Sequence, residues 1–150
     1  MAADLTATVT ESVTLNGAVR GSTNTVTVSN IVDVFERILT AAHSNTTTIA
    51  VFGSTPHASA GALDLENAKY IRITNIDASA VIDLAIVTEN TNYQVVLTAG
   101  CSHLLCQADT AAIAEADTSP NFPTLEDITS IQVRPRGTDD CQVEIFVGLI

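Results

Sequence analysis

The stretch Lys69–Cys106, KYIRITNIDASAVIDLAIVTENTNYQVVLTAGCSHLLC, decides the fold class of this chain. Apolar and polar residues alternate in Ile71–Thr74, Ile82–Ile86 and Tyr93–Leu97. Side chains on a strand point to opposite faces in turn, so the alternation predicts strands with one buried and one solvated face. Turn-forming residues separate the segments at 75–77, 89–92 and 99–100. We therefore expect three or four antiparallel strands in an up-and-down run, without a recognisable catalytic motif.

The composition favours β-structure throughout. Hydrophobic residues make up 46% of the 150 residues, but aromatic residues make up only 4% and there is no Trp, so Val, Ile, Leu and Ala must build the core. Lys occurs once, at Lys69, and the usual material of exposed helix faces is scarce. β-branched side chains suit a pleated surface. The sequence predicts a single all-β domain over residues 1–150, an antiparallel β-sandwich or jelly-roll-like fold with one or two short helical turns.

Further strands are expected outside the opening stretch. Asn16-Gly17 is a hairpin signal, because a type I′ turn needs positive φ at both central residues. The candidate strands are Leu5–Val9, Ser12–Val19, Thr25–Ser29, Thr47–Phe52, Ile128–Arg134 and Cys141–Leu149. About nine strands in all, with turn signals every 8–12 residues, are typical of a sandwich.

Three segments have an ambiguous or helical pattern. Ile31–Ala42 fits both a helix, with apolar residues at helical spacing and Ser29 or Asn30 as a cap, and an alternating strand. Leu63–Ala68 predicts a single helical turn, and Asp109 could cap a short Ala-rich helix through Ala116.

Charge and cysteine content exclude several classes of function. The net charge is −11, with 17 acidic and 6 basic residues, so there is no basic footprint for nucleic acid. The three cysteines do not resemble a secreted disulfide framework, the N-terminus has no signal-peptide pattern, and no apolar run has the length of a membrane helix. We expect a soluble protein made in a reducing cytoplasm, with no membrane partner.

Cys101-Ser102-His103-Leu104-Leu105-Cys106 is the sharpest candidate for chemistry. Two thiols and an imidazole lie within six residues, and Cys141 or His43 could complete a zinc site. On a strand, however, Cys101 and His103 share one face and Cys106 falls on the other. We therefore expect no metal, no cofactor and no catalytic residue, and His57 and the paired turn acids are expected to be solvated.

Arginine is scarce, and four arginines lie in or beside predicted strands: Arg37, Arg72, Arg134 and Arg136. A guanidinium pairs bidentately with carboxylates. In an acidic homo-oligomer these residues would be intersubunit anchors. Equally, they could pair within the chain with Asp83 or Glu144.

The phrase YIRITN, followed by a strand and then VVLTAGCSHLL, resembles the core of small virion structural proteins of tailed bacteriophages. The likeness covers Val34–Cys106, about half of the chain. It implies a β-sandwich that binds the outside of a capsid as a cement or decoration protein, as a homotrimer that contacts the major capsid protein. It carries no catalytic residue over to this sequence.

The functional expectation is therefore a structural role, not an enzyme. A subunit that binds the assembled shell across capsomers would stabilise it, and residues 1–12 and 107–127 are the candidate contact arms because both are poorly confined by strand patterning. The alternatives are a tail, neck or fibre-base module, or a carbohydrate-binding β-sandwich. The last would need exposed aromatic rings, and the chain has only Tyr70 and Tyr93 with no Trp.

Overall fold

Fourteen strands form the described part of the chain. The structure is a computed structural model and describes residues 1–55, 59–106, the backbone of 110–112, and 122–150. The strands are β1 (Ala3–Thr10), β2 (Val13–Leu15), β3 (Ala18–Arg20), β4 (Thr23–Ile31), β5 (Asp33–Ala41), β6 (Thr47–Gly53), β7 (Leu63–Asp64), β8 (Ala68–Asn75), β9 (Ile82–Thr88), β10 (Asn92–Leu97), β11 (Ser102–Leu105), β12 (Thr110–Ala112), β13 (Glu126–Pro135) and β14 (Cys141–Leu149). The predicted all-β fold class is confirmed, and the described residues contain no helix.

Two sheets pack face to face around an aliphatic core. One sheet has the strand order β10-β9-β13-β6-β7, with β12 also paired to β13, and the other has the order β11-β8-β14-β5. Every described pairing is antiparallel except β6 with β7. The fully buried side chains alternate along the four central strands, as period-two burial requires. They include Ile71, Ile73, Ile82, Leu84, Ile86, Ile131, Val133, Val143, Ile145 and Val147.

The opening stretch does not form the up-and-down run that its sequence predicts. β9 and β10 are paired neighbours, but β8 and β11 pair with each other in the opposite sheet. The alternation in each strand is correct. Alternation predicts which face of a strand is buried but not which sheet the strand joins. In the structure, the chain crosses from one sheet to the other after β8 and crosses back after β10.

The ambiguous segments have non-helical structure where they are described. Within Ile31–Ala42, residues 33–41 form β5, and pairing with β14 along its whole length satisfies the backbone groups on one edge of this strand. Asn30 has φ 65° and does not cap a helix. Leu63–Ala68 holds the two residues of β7 and one turn, in which Ala68 N–H donates to the Leu65 carbonyl at 3.1 Å. Residues 110–112 of the predicted 109–116 helix are β12, and the rest of that segment lies outside the described residues.

The N-terminal residues 3–31 leave the sandwich as a β-ribbon, which we call the arm. β1 pairs with β4, and β2 pairs with β3 beyond them. The predicted Asn16-Gly17 hairpin is confirmed, with φ values of 50° and 80°. All residues from Thr8 to Thr27 are exposed. Of the candidate strands in this region, Leu5–Val9 and Thr25–Ser29 lie within β1 and β4, whereas Ser12–Val19 is not one strand but β2, a turn and β3, and all of them belong to the arm and not to the sandwich.

Candidate interaction surface

The arm is amphipathic because its two strands pair in register. Leu5 lies opposite Val28, and Ala7 lies opposite Val26. The residues between them are threonines: Thr6, Thr8 and Thr10 face Thr27, Thr25 and Thr23. Two of these threonine pairs are joined by hydroxyl hydrogen bonds of 3.2 Å. One face of the ribbon is therefore apolar, and the other is a threonine ladder.

The root of the arm packs on the outer face of the four-stranded sheet. A Cβ placed on Gly148 would lie 3.0 Å from Leu5 Cδ1 and 3.2 Å from Ile31 Cδ1, so the absence of a side chain there lets the arm approach the sheet closely. Tyr70 lies beside this contact and meets Phe146 edge to face, with ring centroids 6.1 Å apart. The apolar face of the arm is covered at its root.

Further out, the apolar face of the arm has no cover. Val9 is 42% exposed and Val26 is 39% exposed. At the tip, Val13 and Leu15 share one face of the β2–β3 hairpin and Val19 lies on the other, and all three are more exposed still. A two-stranded hairpin is marginally stable by itself in water, because it buries little apolar surface. A ribbon of this kind is more stable when another surface covers its apolar face.

Strand β5 is a second exposed apolar feature. Its backbone pairs only with β14, so its other edge is unpaired among the described strands. On its outer face Val34 is 44% exposed and Ile38 is 62% exposed. A long edge strand with exposed apolar side chains is a template for association with another chain.

The four arginines of the sequence prediction do not form one cluster. Arg72 donates to Glu144 at 2.8 Å across β8 and β14, and Arg136 donates to Asp83 at 2.6 Å. The hydrogen bond from Arg72 and its positive charge lower the pKa of Glu144. Arg72 and Arg136 are therefore paired within the chain, which is the second of the two roles that the sequence allows.

Arg37 and Arg134 are both exposed, and neither has an ion pair within the described ranges. Arg37 lies on the edge strand β5. These two remain available as intersubunit anchors, a role that stays a prediction.

The residues of the candidate zinc site are not brought together. Cys101 and Cys106 are exposed beyond the two ends of β11, whereas Cys141 is fully buried, with its Sγ 3.2 Å from Asn75 Oδ1. Burial raises the pKa of the Cys141 thiol to about 11, and His43 pairs instead with Asp140 at 2.9 Å. The described residues contain no cluster of three or more His, Cys, Asp or Glu side chains that could hold a metal. His57 lies outside the described residues.

His103 links the two sheets and was not singled out for this role by the sequence. Its Nε2 lies 2.9 Å from the Tyr93 hydroxyl, and the two rings meet edge to face at 5.8 Å. Because Tyr93 is on β10 and His103 is on β11, the contact closes one side of the sandwich. Burial lowers the pKa of His103 and raises that of Tyr93.

The opposite side of the sandwich has an apolar groove between β5 and β7. It has a volume of about 520 Å³, and its lining includes Phe35, Leu63, Leu149 and Ile150. Phe35 and Leu63 lie on edge strands of different sheets, and the groove separates these two edges. On the other side of the sandwich, the contact between Tyr93 and His103 joins the two sheets.

Comparison with known proteins gives no relative: no family model, no curated protein and no solved structure matches the chain. In the part of the chain that the structure describes, there is no helix with the length and hydropathy to cross a membrane. The exposed arm and the edge strand β5 are therefore the features on which a functional argument rests.

Proposed function

We propose that this chain is a structural protein of a tailed-bacteriophage virion, most simply a homotrimeric capsid decoration protein that binds the major capsid protein on the outer shell. The observation that carries the proposal is the arm, in which the twenty residues Thr8–Thr27 form paired strands and the connections between them and yet are all exposed. An ordered apolar ribbon is suited to contact with protein. The resemblance of the Val34–Cys106 segment to virion structural proteins is the reason for proposing that the partner protein belongs to a phage particle.

The low density of charge supports a role in assembly. Charged residues are 15% of the chain, against roughly 25% in an ordinary globular domain. Two of the 17 acidic residues and one of the 6 basic residues lie in residues 1–31, so the arm is nearly neutral. A surface of small polar and apolar side chains loses little side-chain entropy when a neighbour covers it.

Stabilisation would follow from mass action. A subunit that binds the assembled shell and not its dissociated parts raises the free energy needed for disassembly. The candidate contact arm at 1–12 is part of the larger arm described above. The second candidate, 107–127, falls mostly outside the described residues.

A carbohydrate-binding role has less support in the structure. Sugar stacking needs exposed aromatic faces, but Tyr70 is 5% exposed and Tyr93 is half-buried against His103, which leaves the single ring of Phe122, at 85% exposed. A tail, neck or fibre-base location would use the same arm, and particle labelling distinguishes it from a capsid location.

The test is immunogold electron microscopy of particles from the phage that encodes the chain, with an antibody raised against the purified protein. Labelling over the shell supports decoration, and labelling at the neck or tail moves the module there. Particles without any label contradict a virion role. Decorated shells should also release DNA at a higher temperature than shells assembled without this protein.

A further inference from the structure

We propose that the outer half of the arm docks its apolar face on strand β5 of a second copy of this chain, in a closed homo-oligomer with exchanged arms. The proposal concerns contacts between copies and does not depend on a virion role. It names a donor surface, centred on Val9 and Val26, and an acceptor surface, centred on Val34 and Ile38.

The described residues of the subunit itself leave the outer half of the apolar face uncovered. The apolar face is packed against the subunit's own sheet at Leu5 and Ile31, through the space above Gly148. From Thr8 onward every residue is exposed until Val28. Ten residues from Thr8 to Gly17 extend about 33 Å at ~3.3 Å per residue, a reach comparable to the body of a neighbouring subunit.

Between two copies of this chain, electrostatics favour contact through the arm over contact between two bodies. Residues 32–150 carry 15 of the 17 acidic residues but 5 of the 6 basic ones, so two bodies repel each other. The arm carries only Asp4, Glu11 and Arg20. It can therefore approach an acidic body at little electrostatic cost.

The area is sufficient for a specific interface when arms are exchanged. A two-stranded ribbon is about 10 Å wide, so the outer half presents roughly 300 Å² on one face. Docking buries a similar area on the acceptor, which makes about 600 Å² per arm and about 1,200 Å² for the two arms exchanged in a two-fold dimer. This reaches the lower end of the range for stable protein interfaces, ~1,200–2,000 Å². Closed exchange also leaves no unpaired arm to start a fibre.

The outer face of β5 is the surface on which the neighbour's arm would dock. This face adjoins the root of the subunit's own arm, because Val34 lies opposite Gly148 in the β14–β5 register. On this outer face Val34 lies beside the contact of Leu5 and Ile31 with the sheet, and Ile38 follows on the far side of Glu36, so the exposed apolar side chains flank one carboxylate. A neighbour's arm on this strip would bury side chains that otherwise remain in water.

The experiment is sedimentation velocity of the full-length protein between 1 and 100 µM, with variants at adjacent positions on β4. Val26→Glu places a charge on the apolar face, and Thr25→Glu places the same charge on the threonine ladder one residue away. We expect a reversible oligomer for the wild type, at least a tenfold higher dissociation constant for Val26→Glu, and less than a threefold change for Thr25→Glu. Both positions are exposed, so the thermal unfolding of the sandwich should stay unchanged and serve as the folding control.

A mixing experiment identifies the acceptor. Ile38→Asn should weaken association as Val26→Glu does, because it removes the acceptor while leaving the arm intact. An equimolar mixture of the two variants should associate more tightly than either variant alone, since an intact arm from one can dock on an intact β5 from the other.

Three results would overturn the proposal. The first is a wild-type protein that stays monomeric at 100 µM, and the second is equal weakening by Thr25→Glu and Val26→Glu. The third is normal association of Ile38→Asn, which would place the arm on a different surface. If the antibody does not label particles, the virion role is contradicted but arm exchange is not. If the antibody labels particles and the protein is monomeric, arm exchange is contradicted but the virion role is not.

Discussion

At the scale of single residues, Asn75 determines how the two sheets are joined at the end of β8. Its side chain is fully buried and donates to the carbonyls of Ala80 and Leu97 at 2.8 and 3.0 Å, while its Oδ1 accepts from the Asp77 amide and lies near the Cys141 thiol. One side chain thus ties the β8–β9 crossing, the end of β10 and the start of β14. From the sequence, Asn75 is recognisable only as a turn residue.

Asn75→Ala should lower the free energy of unfolding by about 2–3 kcal/mol, because it leaves buried carbonyl groups without a donor. Chemical denaturation measures this change. Asn92→Ala is the matched control, since Asn92 is exposed and its side chain accepts a hydrogen bond from the neighbouring exposed Gln94, so a change within about 0.5 kcal/mol is expected. A similar effect in the two variants would mean that the buried network of Asn75 contributes little.

The lowered pKa of His103 in the folded state should make the stability of the protein depend on pH. Because burial lowers its folded-state pKa below the ordinary value of 6.5, the unfolded chain binds a proton at higher pH than the folded chain does. The stability that the neutral imidazole contributes is fully present above about pH 6.5 and is lost as the pH falls from there through the folded-state pKa. The melting temperature should therefore decline below pH 6.5 more steeply in the wild type than in His103→Gln. Parallel profiles would show that another group controls this range.

At the scale of elements, the sequence predicts strands well and their partners poorly. Alternation located β6, β9, β13 and β14 nearly to the residue, since period-two burial is a local property. The arm was missed as a separate element because Thr–Val alternation looks the same in a ribbon and in a sandwich. One signal was present: the large aliphatic residues Ile and Leu, which fill the core elsewhere, are limited to Leu5, Leu15 and Ile31 in the arm.

A substitution at Gly21 should disrupt the arm and leave the sandwich folded. Gly21 has φ +124°, and a Cβ there would lie 2.0 Å from the Glu11 carbonyl oxygen, so Gly21→Ala must separate the two strands. Hydrogen exchange should speed up at Glu11, whose amide donates to Ser22 at 2.9 Å, while protection of β8 and β14 is unchanged. Gly17→Ala is the control, because Gly17 also has positive φ but nothing lies within 4 Å of its Cβ position. Equal exchange in both variants would show that backbone strain, and not the close approach to Glu11, is responsible.

At the scale of the whole molecule, charge is divided between a nearly neutral arm and an acidic body. The body's arginines Arg72 and Arg136 are already paired with acids, which leaves Arg37 and Arg134 as the sandwich arginines that have no ion pair among the described residues. Two mechanisms of self-association therefore compete. Apolar docking of the arm works against repulsion between bodies, whereas arginine anchors would work through attraction between opposite charges.

Salt separates these mechanisms, because screening weakens repulsion and attraction alike. The Debye length falls from about 30 Å at 0.01 M to about 8 Å at 0.15 M, which is less than the estimated reach of the arm. If the arm carries the contact, the dissociation constant of the wild-type oligomer should decrease severalfold across this range in sedimentation velocity. If Arg37 and Arg134 carry it, the constant should instead increase, and Arg37→Glu or Arg134→Glu should abolish the salt dependence. A decrease with salt, together with normal association of both charge-reversal variants, would remove these two arginines from the interface and leave the apolar face of the arm to account for it.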